Sequence, residues 1–112
     1  MPTHADMAAK LLYDAAAFFR TLADQNAPIK EQMTQNASVF DQMAELVVTK
    51  PTEQLDGKTY AELGARLLMD AATFFRTLAQ QNPPIAKQMS ENAFVYEKIA
   101  ERVQKDPGGI FN

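Results

Sequence analysis

The sequence predicts an all-α protein, a four-helix bundle built from two helical hairpins related by a pseudo-twofold axis. Residues 3–51 align with residues 59–107 at a constant offset of 56 without a gap, and 27 of the 49 aligned pairs are identical. Each copy carries two apolar stripes at helical spacing, separated by an Asn-x-Pro segment. We interpret the chain as a tandem duplication that folds as a single domain, residues 1–112.

The first helix of each copy is predicted at residues 4–25 and 60–81. Thr3 and Asp6, like Thr59 and Glu62, have the spacing of a capping box, in which the two side chains satisfy two free backbone N–H groups. The apolar residues that follow fall on one helix face. They are Ala8, Leu11, Leu12, Ala15, Phe18, Phe19 and Leu22 in the first copy, and Gly64, Leu67, Leu68, Ala71, Phe74, Phe75 and Leu78 in the second.

The second helix of each copy is predicted at residues 27–49 and 83–105. Asn26 and Asn82 are expected to be its N-caps, because Asn is a good cap and proline fits the first turn. Its apolar stripe is Ile29, Met33, Ala37, Phe40, Ala44 and Val47 in the first copy, and Ile85, Met89, Ala93, Tyr96, Ala100 and Val103 in the second.

Two segments lie outside the helices. Residues 50–58 are expected to be a linker between the copies, because Pro51 and Asp56-Gly57 break regular structure. Residues 108–112 form a tail, and the sequence leaves open whether Ile110 and Phe111 dock back or stay loose. A single hairpin would expose its phenylalanine stripe, whereas two hairpins can bury the stripes against each other. An alternative is pairing of hairpins between chains.

Composition excludes several classes of site and partner. The formal net charge is −3, with no Cys and one His, so disulfides, thiolate metal sites and cysteine nucleophiles are excluded. No segment is apolar enough to span a membrane, and nucleic acid is not expected as a partner. No secretory signal pattern is present, so we expect a cytoplasmic protein. Without a glycine-rich phosphate loop, a haem motif or a Ser–His pair, we expect no cofactor, no catalytic residues and no enzymatic activity.

Eight residues are candidates for either the core or the wall of a ligand site: Phe18, Phe19, Phe74, Phe75, Met33, Met89, Asn36 and Asn92. The aromatic and methionine side chains either fill an ordinary core or line an apolar pocket. The two amides near the core either pair across the bundle and set its register or orient a ligand.

Asp14 and Asp70 lie at the border of the first apolar stripe in each copy. Two symmetry-related carboxylates could share a metal ion or a proton, but di-iron bundles supply Glu-x-x-His motifs that this chain lacks. We therefore expect no metal site. A hydrogen bond or salt link to Lys10 or Arg66, one turn earlier, is the expected role of these carboxylates.

A candidate interaction surface comprises Tyr13, Ala17, Arg20, Arg76 and Phe94. The outward side of the first helix is only weakly polar, and Arg20 is expected to be solvated there. Phe94 takes the place that Ser38 has in the first copy, and it is expected to point outward on an exposed helix face.

Two functional hypotheses follow from these features. The first is a non-enzymatic helical-bundle protein that mediates protein–protein interaction or self-association, with another protein or a second copy as partner. The uneven charge of the two halves could orient a partner on the surface. Residues 1–56 carry 4 basic and 8 acidic side chains (net −4), whereas residues 57–112 carry 7 basic and 6 acidic side chains (net +1). The alternative is a binding module for a small apolar ligand in the bundle core.

Overall fold

A computed structural model describes residues 2–110 of the chain, and four long helices dominate it. The helices are α1 (His4–Gln25), α2 (Lys30–Thr49), α3 (Tyr60–Gln81) and α4 (Ala86–Lys105). The most extensive contacts join α1 to α2 and α3 to α4, and α1 also touches α3 and α4 while α2 touches α3. This arrangement confirms the predicted four-helix bundle of two hairpins.

The helices run up, down, up and down around the bundle. Helix α3 begins beside the end of α2, where the backbone N–H of Ala61 donates to the carbonyl of Pro51 at 3.0 Å. Helix α1 begins beside the end of α4, where the N–H of Ala5 donates to the carbonyl of Pro107 at 3.0 Å. Each helix therefore runs antiparallel to the next one in the chain, so α1 and α3 point the same way. The pseudo-twofold axis therefore runs along the bundle.

Both predicted capping boxes are present. In α1 the Thr3 hydroxyl accepts the N–H of Asp6 at 3.0 Å, and the Asp6 carboxylate accepts the N–H of Thr3 at 3.0 Å. Thr59 and Glu62 make the equivalent pair at the start of α3, at 3.1 and 3.0 Å. The hydrogen bonds from Thr59 lower the pKa of Glu62, so its carboxylate form is favoured at the cap.

The prediction that Asn26 and Asn82 are N-caps was wrong. A short 3-10 turn, Ala27–Ile29 or Pro83–Ile85, precedes each second helix, and neither Asn side chain caps it. Proline removes one N–H that a capping oxygen would need, and the next N–H donates to the Asn backbone carbonyl instead, at 3.0 Å. Each Asn amide donates to the carbonyl four residues earlier, at 3.0 Å, and so caps the end of the preceding helix.

The linker contains a small β-hairpin that the sequence analysis did not predict. Strands β1 (Gln54–Leu55) and β2 (Lys58–Thr59) pair in antiparallel register. Asp56 and Gly57 join them with φ angles of 54° and 82°. An Asp-Gly pair is the usual sequence for a two-residue hairpin turn in which both φ angles are positive, so this dipeptide was the available signal.

The C-terminal tail repeats the linker's contacts at the other end of the chain. In the linker, Tyr60 donates its N–H to the carbonyl of Glu53 at 2.9 Å. At the tail, His4 donates to the carbonyl of Gly109 at 2.7 Å, and Ile110 pairs with Thr3. The described part of the tail therefore docks back onto α1, and Phe111, whose docking the sequence left open, lies outside the described residues. The contacts between residues 3–5 and residues 107–110 thus repeat, without a covalent connection, the contacts within the linker.

Phenylalanine rings form the contact between α1 and α3. The ring centroids of Phe18 and Phe75 are 5.4 Å apart, and those of Phe19 and Phe74 are 5.5 Å apart, in edge-to-face geometry. This is a favoured arrangement of aromatic pairs. The cluster extends outward from Phe19 to Phe40 and from Phe75 to Tyr96, at 5.1 and 5.0 Å. Met33 and Met89 are buried in the same core.

Gly64 lies where α3 packs tightly against α2. A Cβ atom added to Gly64 would lie 2.6 Å from a methyl group of Val47, a fully buried side chain that would have to shift. The equivalent residue in α1 is Ala8, which is also fully buried. The two hairpins are thus not perfectly symmetric, because only one interface requires the absence of a side chain.

No helix among residues 2–110 has both the length and the hydropathy needed to cross a membrane.

We expect Gly64→Ala to lower the free energy of unfolding by about 1 kcal/mol, because overpacking at Val47 outweighs the helix-propensity gain of up to about 1 kcal/mol. Chemical denaturation of the purified protein measures this difference. The control is the same change in a Val47→Ala background. There the methyl group added at position 64 has room, so Gly64→Ala should be stabilising. Stabilisation in both backgrounds would contradict the close approach.

Candidate ligand-binding grooves

Two grooves on the bundle surface occupy positions related by the 56-residue offset. The α1–α4 groove has a volume of about 310 Å³, and the α2–α3 groove has a volume of about 340 Å³. The first is lined by Leu11, Asp14, Phe18, Phe75, Asn92, Val95 and Tyr96. The second is lined by Leu67, Asp70, Phe74, Phe19, Asn36, Val39 and Phe40, together with Ala71. Most of the ligand-lining candidates from the sequence, and both border carboxylates, meet in these two grooves.

The seven positions that line the α1–α4 groove all have their counterpart in the α2–α3 groove. Six of these seven pairs are identical between the copies, against 27 of 49 pairs in the whole alignment. Identity at the phenylalanine pairs follows from core packing alone. Asp14 and Asp70, and Val39 and Val95, are exposed, and core packing does not require their identity. The lining is therefore more alike in the two copies than burial explains.

Each groove combines an aromatic floor with two polar groups at its edge. Phe18, Phe75 and Tyr96 form the floor of the α1–α4 groove, and the rings of Phe75 and Tyr96 meet edge to face. Asp14 comes from α1 and Asn92 from α4, so the groove exists only where the two hairpins meet. Such a combination can hold an apolar body and orient a polar group attached to it.

Asn36 and Asn92 are half-buried, and neither side chain makes a hydrogen bond to another residue in the range 2–110. Within that range no fully buried side-chain nitrogen or oxygen lacks a partner, so both amides retain access to solvent in the grooves. This geometry contradicts the interpretation in which the two amides pair across the bundle to set its register. Their donors and acceptors are available to a ligand.

The carboxylates of the two grooves differ in their neighbours. Asp14 lies 3.5 Å from the Nζ atom of Lys10, which confirms the expected link one turn earlier. Both side chains are more than half exposed, so the pair is weak. Asp70 makes no ion pair with Arg66 or with any other cation in the part of the chain that the structure describes. The carboxylate of the α2–α3 groove is thus the more available of the two.

Tyr96 is the main chemical difference between the grooves. Its hydroxyl donates to the carbonyl of Leu11 at 2.9 Å, a buried hydrogen bond that ties α4 to α1. Burial raises the pKa of Tyr96, and the nearby charge of Asp14 raises it further, so the phenol stays neutral. The α2–α3 groove has Phe40 at this position and lacks the hydroxyl.

The two arginines of the candidate interaction surface are engaged within their own hairpins. Arg20 is exposed to solvent, as expected, and its guanidinium also lies 2.7 Å from the Asp41 carboxylate on α2. Arg76 donates two hydrogen bonds to Glu97 on α4, at 2.7 and 3.1 Å. These bonds lower the pKa of Glu97. Both pairs join the helices of one hairpin on its outer face.

The structure divides the candidate interaction surface between the hairpins. Tyr13 and Ala17 are exposed on α1, in line with Arg20, whereas Phe94 lies on α4. Phe94 is 56% exposed, as its sequence position predicted, and the Nζ atom of Lys98 is 5.4 Å from its ring centroid. Its neighbour Val95 lines the α1–α4 groove, so Phe94 stands beside that groove.

Sequence reasoning missed the valine, leucine and tyrosine side chains that complete the grooves: Leu11, Leu67, Val39, Val95 and Tyr96. The valines carried a usable signal, because they are identical in the two copies at exposed positions. No sequence signal showed that α1 residues would meet α4 residues, since that depends on how the hairpins pack.

No group of three or more potential metal-ligating His, Asp or Glu side chains occurs within residues 2–110. Comparisons with protein-family models, curated proteins and solved structures find no match for this chain.

Proposed function

We propose that this protein is a non-enzymatic binding module, and that each groove holds a small molecule with an apolar body and a polar head. One observation carries the proposal: each of the two grooves presents an aromatic floor, a carboxylate and a free amide at equivalent positions. Two sites per chain follow from the tandem copies.

The grooves are better candidates than the centre of the bundle, where the sequence placed the alternative ligand. The interior is packed with apolar side chains, and the largest that are fully buried are Leu12, Leu68, Val47 and Val103. In the grooves, each CH₂ group that a ligand buries contributes about 0.8 kcal/mol. The half-buried amide supplies a donor and an acceptor that select the orientation of the head group.

We expect Asn36→Ala and Asn92→Ala to leave the free energy of unfolding unchanged or to raise it by about 0.5 kcal/mol each, because the amides make no hydrogen bond and alanine favours helix. Thermal and chemical denaturation measure this. Gln35→Ala, an exposed amide on the same helix, is the matched control. A decrease of more than about 1 kcal/mol in the free energy of unfolding at either Asn would show that the amide has a structural role.

Binding is tested with 2-phenylethanol, a neutral probe with an apolar ring and one hydroxyl group. Titration followed by ¹H–¹⁵N NMR should give saturable shifts that cluster at the two grooves and are reduced by Asn36→Ala in the α2–α3 groove alone. Gln35→Ala should bind the probe like the unmodified protein. Shifts that fail to saturate, or that scatter over the surface, would contradict a binding module.

A second candidate function is self-association through the outer face of α4. The observation that favours it is the exposure of two adjacent apolar side chains, Phe94 at 56% and Val95 at 47%. Exposed aromatic side chains are common anchors of protein interfaces. The near-neutral charge of residues 57–112, against −4 for residues 1–56, would favour contact between unlike halves of two copies.

Phe94→Ser tests this candidate, because serine is the residue at the equivalent position 38. Sedimentation equilibrium should show a concentration-dependent average mass for the unmodified protein and a shift towards monomer for the variant. Ser38→Ala, a change on the equivalent face of α2, is the control and should leave the mass unchanged. A strictly monomeric unmodified protein would rule out self-association.

A further inference from the structure

We propose that both grooves select organic cations, such as a primary ammonium group on an aromatic or aliphatic body, and that the α2–α3 groove binds them more tightly. This inference rests on the proposed binding function and specifies its ligand class. It depends on the charges around each groove and on the difference between Lys10 and Arg66.

The charge of the groove linings is entirely negative. Among the described residues, Asp70 is the only charged side chain that lines the α2–α3 groove, and Asp14 is the only one that lines the α1–α4 groove. No Lys or Arg side chain is among the described residues that form either wall. A bound ammonium group would pair with the carboxylate, whereas a bound carboxylate would be repelled by it.

The aromatic floors favour the same kind of ligand. A cation held within about 6 Å of a ring face is attracted by the ring quadrupole, and the effect grows when the site excludes water. Asp70 shares its groove with Phe19, Phe40 and Phe74, and the apolar body of the ligand can lie on these rings. The free amide of Asn36 can accept one of the ammonium hydrogens.

The two grooves differ in competition for the carboxylate. Lys10 already lies 3.5 Å from Asp14, so a ligand cation in the α1–α4 groove must displace it or share the charge. Arg66 is the residue equivalent to Lys10, and it forms no ion pair with Asp70 in the described chain. A ligand cation therefore meets no such competitor in the α2–α3 groove.

The test compares three probes of the same shape and different charge at neutral pH: 2-phenylethylamine, 2-phenylethanol and 3-phenylpropionate. NMR titration reports each groove separately through its own amide shifts. We expect the amine to bind the α2–α3 groove about fivefold more tightly than the alcohol, since an exposed ion pair contributes up to about 1 kcal/mol. The acid should bind most weakly. High salt should remove the preference for the amine and leave alcohol binding in place.

Charge-removing variants assign the preference to the two carboxylates. Asp70→Asn should remove the preference for the amine in the α2–α3 groove only, and Asp14→Asn should do so in the α1–α4 groove only. Asp24→Asn makes the same change in net charge at an exposed position outside both grooves, and it should have no effect. Lys10→Gln should bring the amine affinity of the α1–α4 groove up to that of its counterpart.

The outcomes separate this inference from the proposed function. If amine and alcohol bind the grooves equally, cation selection is overturned while the binding function stands. If none of the probes binds, both are overturned. If the amine preference survives Asp70→Asn or is abolished by Asp24→Asn, the preference reflects overall charge, and the assignment to the groove is overturned.

Discussion

The contact between the phenylalanine pairs of α1 and α3 is the interaction on which the rest of the structure depends. Phe18 and Phe19 meet Phe74 and Phe75 edge to face across the pseudo-twofold axis. Without this contact each hairpin would expose its largest apolar side chains to water. Because the rings lie between α1 and α3, helices α2 and α4 are placed on opposite sides of them. The two grooves form where each outer helix meets the opposite hairpin.

Small residues determine how closely the helices approach around this aromatic cluster. Ala8, Ala15, Ala37 and Ala44 are fully buried, and Gly64 faces Val47 with no space for a Cβ atom. Large aromatic rings and small alanine side chains occupy different positions along the helices, so the side chains of facing helices interdigitate. The same rings that fill the core also form the groove floors, so the candidate sites use side chains already held in place by packing.

Between the two halves of the chain, one position that lines the grooves and some neighbouring positions differ. Phe40 corresponds to Tyr96, Lys10 to Arg66, and Ser38 to Phe94. The α1–α4 groove has a tyrosine that ties α4 to α1 and a lysine beside its carboxylate, whereas the α2–α3 groove has neither feature among the described residues. Two equivalent grooves with unequal neighbours can bind one ligand class with two affinities, and that is the basis of the proposed selectivity.

The sequence by itself determined the helices, their capping boxes, the buried stripes and the pairing into hairpins, because these features depend on local hydrogen bonds and on a periodicity read along the chain. The tertiary structure alone decided that Asn36 and Asn92 are free in grooves, that Arg20 pairs with Asp41, and that the tail closes onto α1. These features require residues far apart in the chain to meet at a particular rotation and height of two packed hairpins. Apolar stripes indicate which faces are buried, but they do not specify which polar side chains will lie opposite one another at the edges.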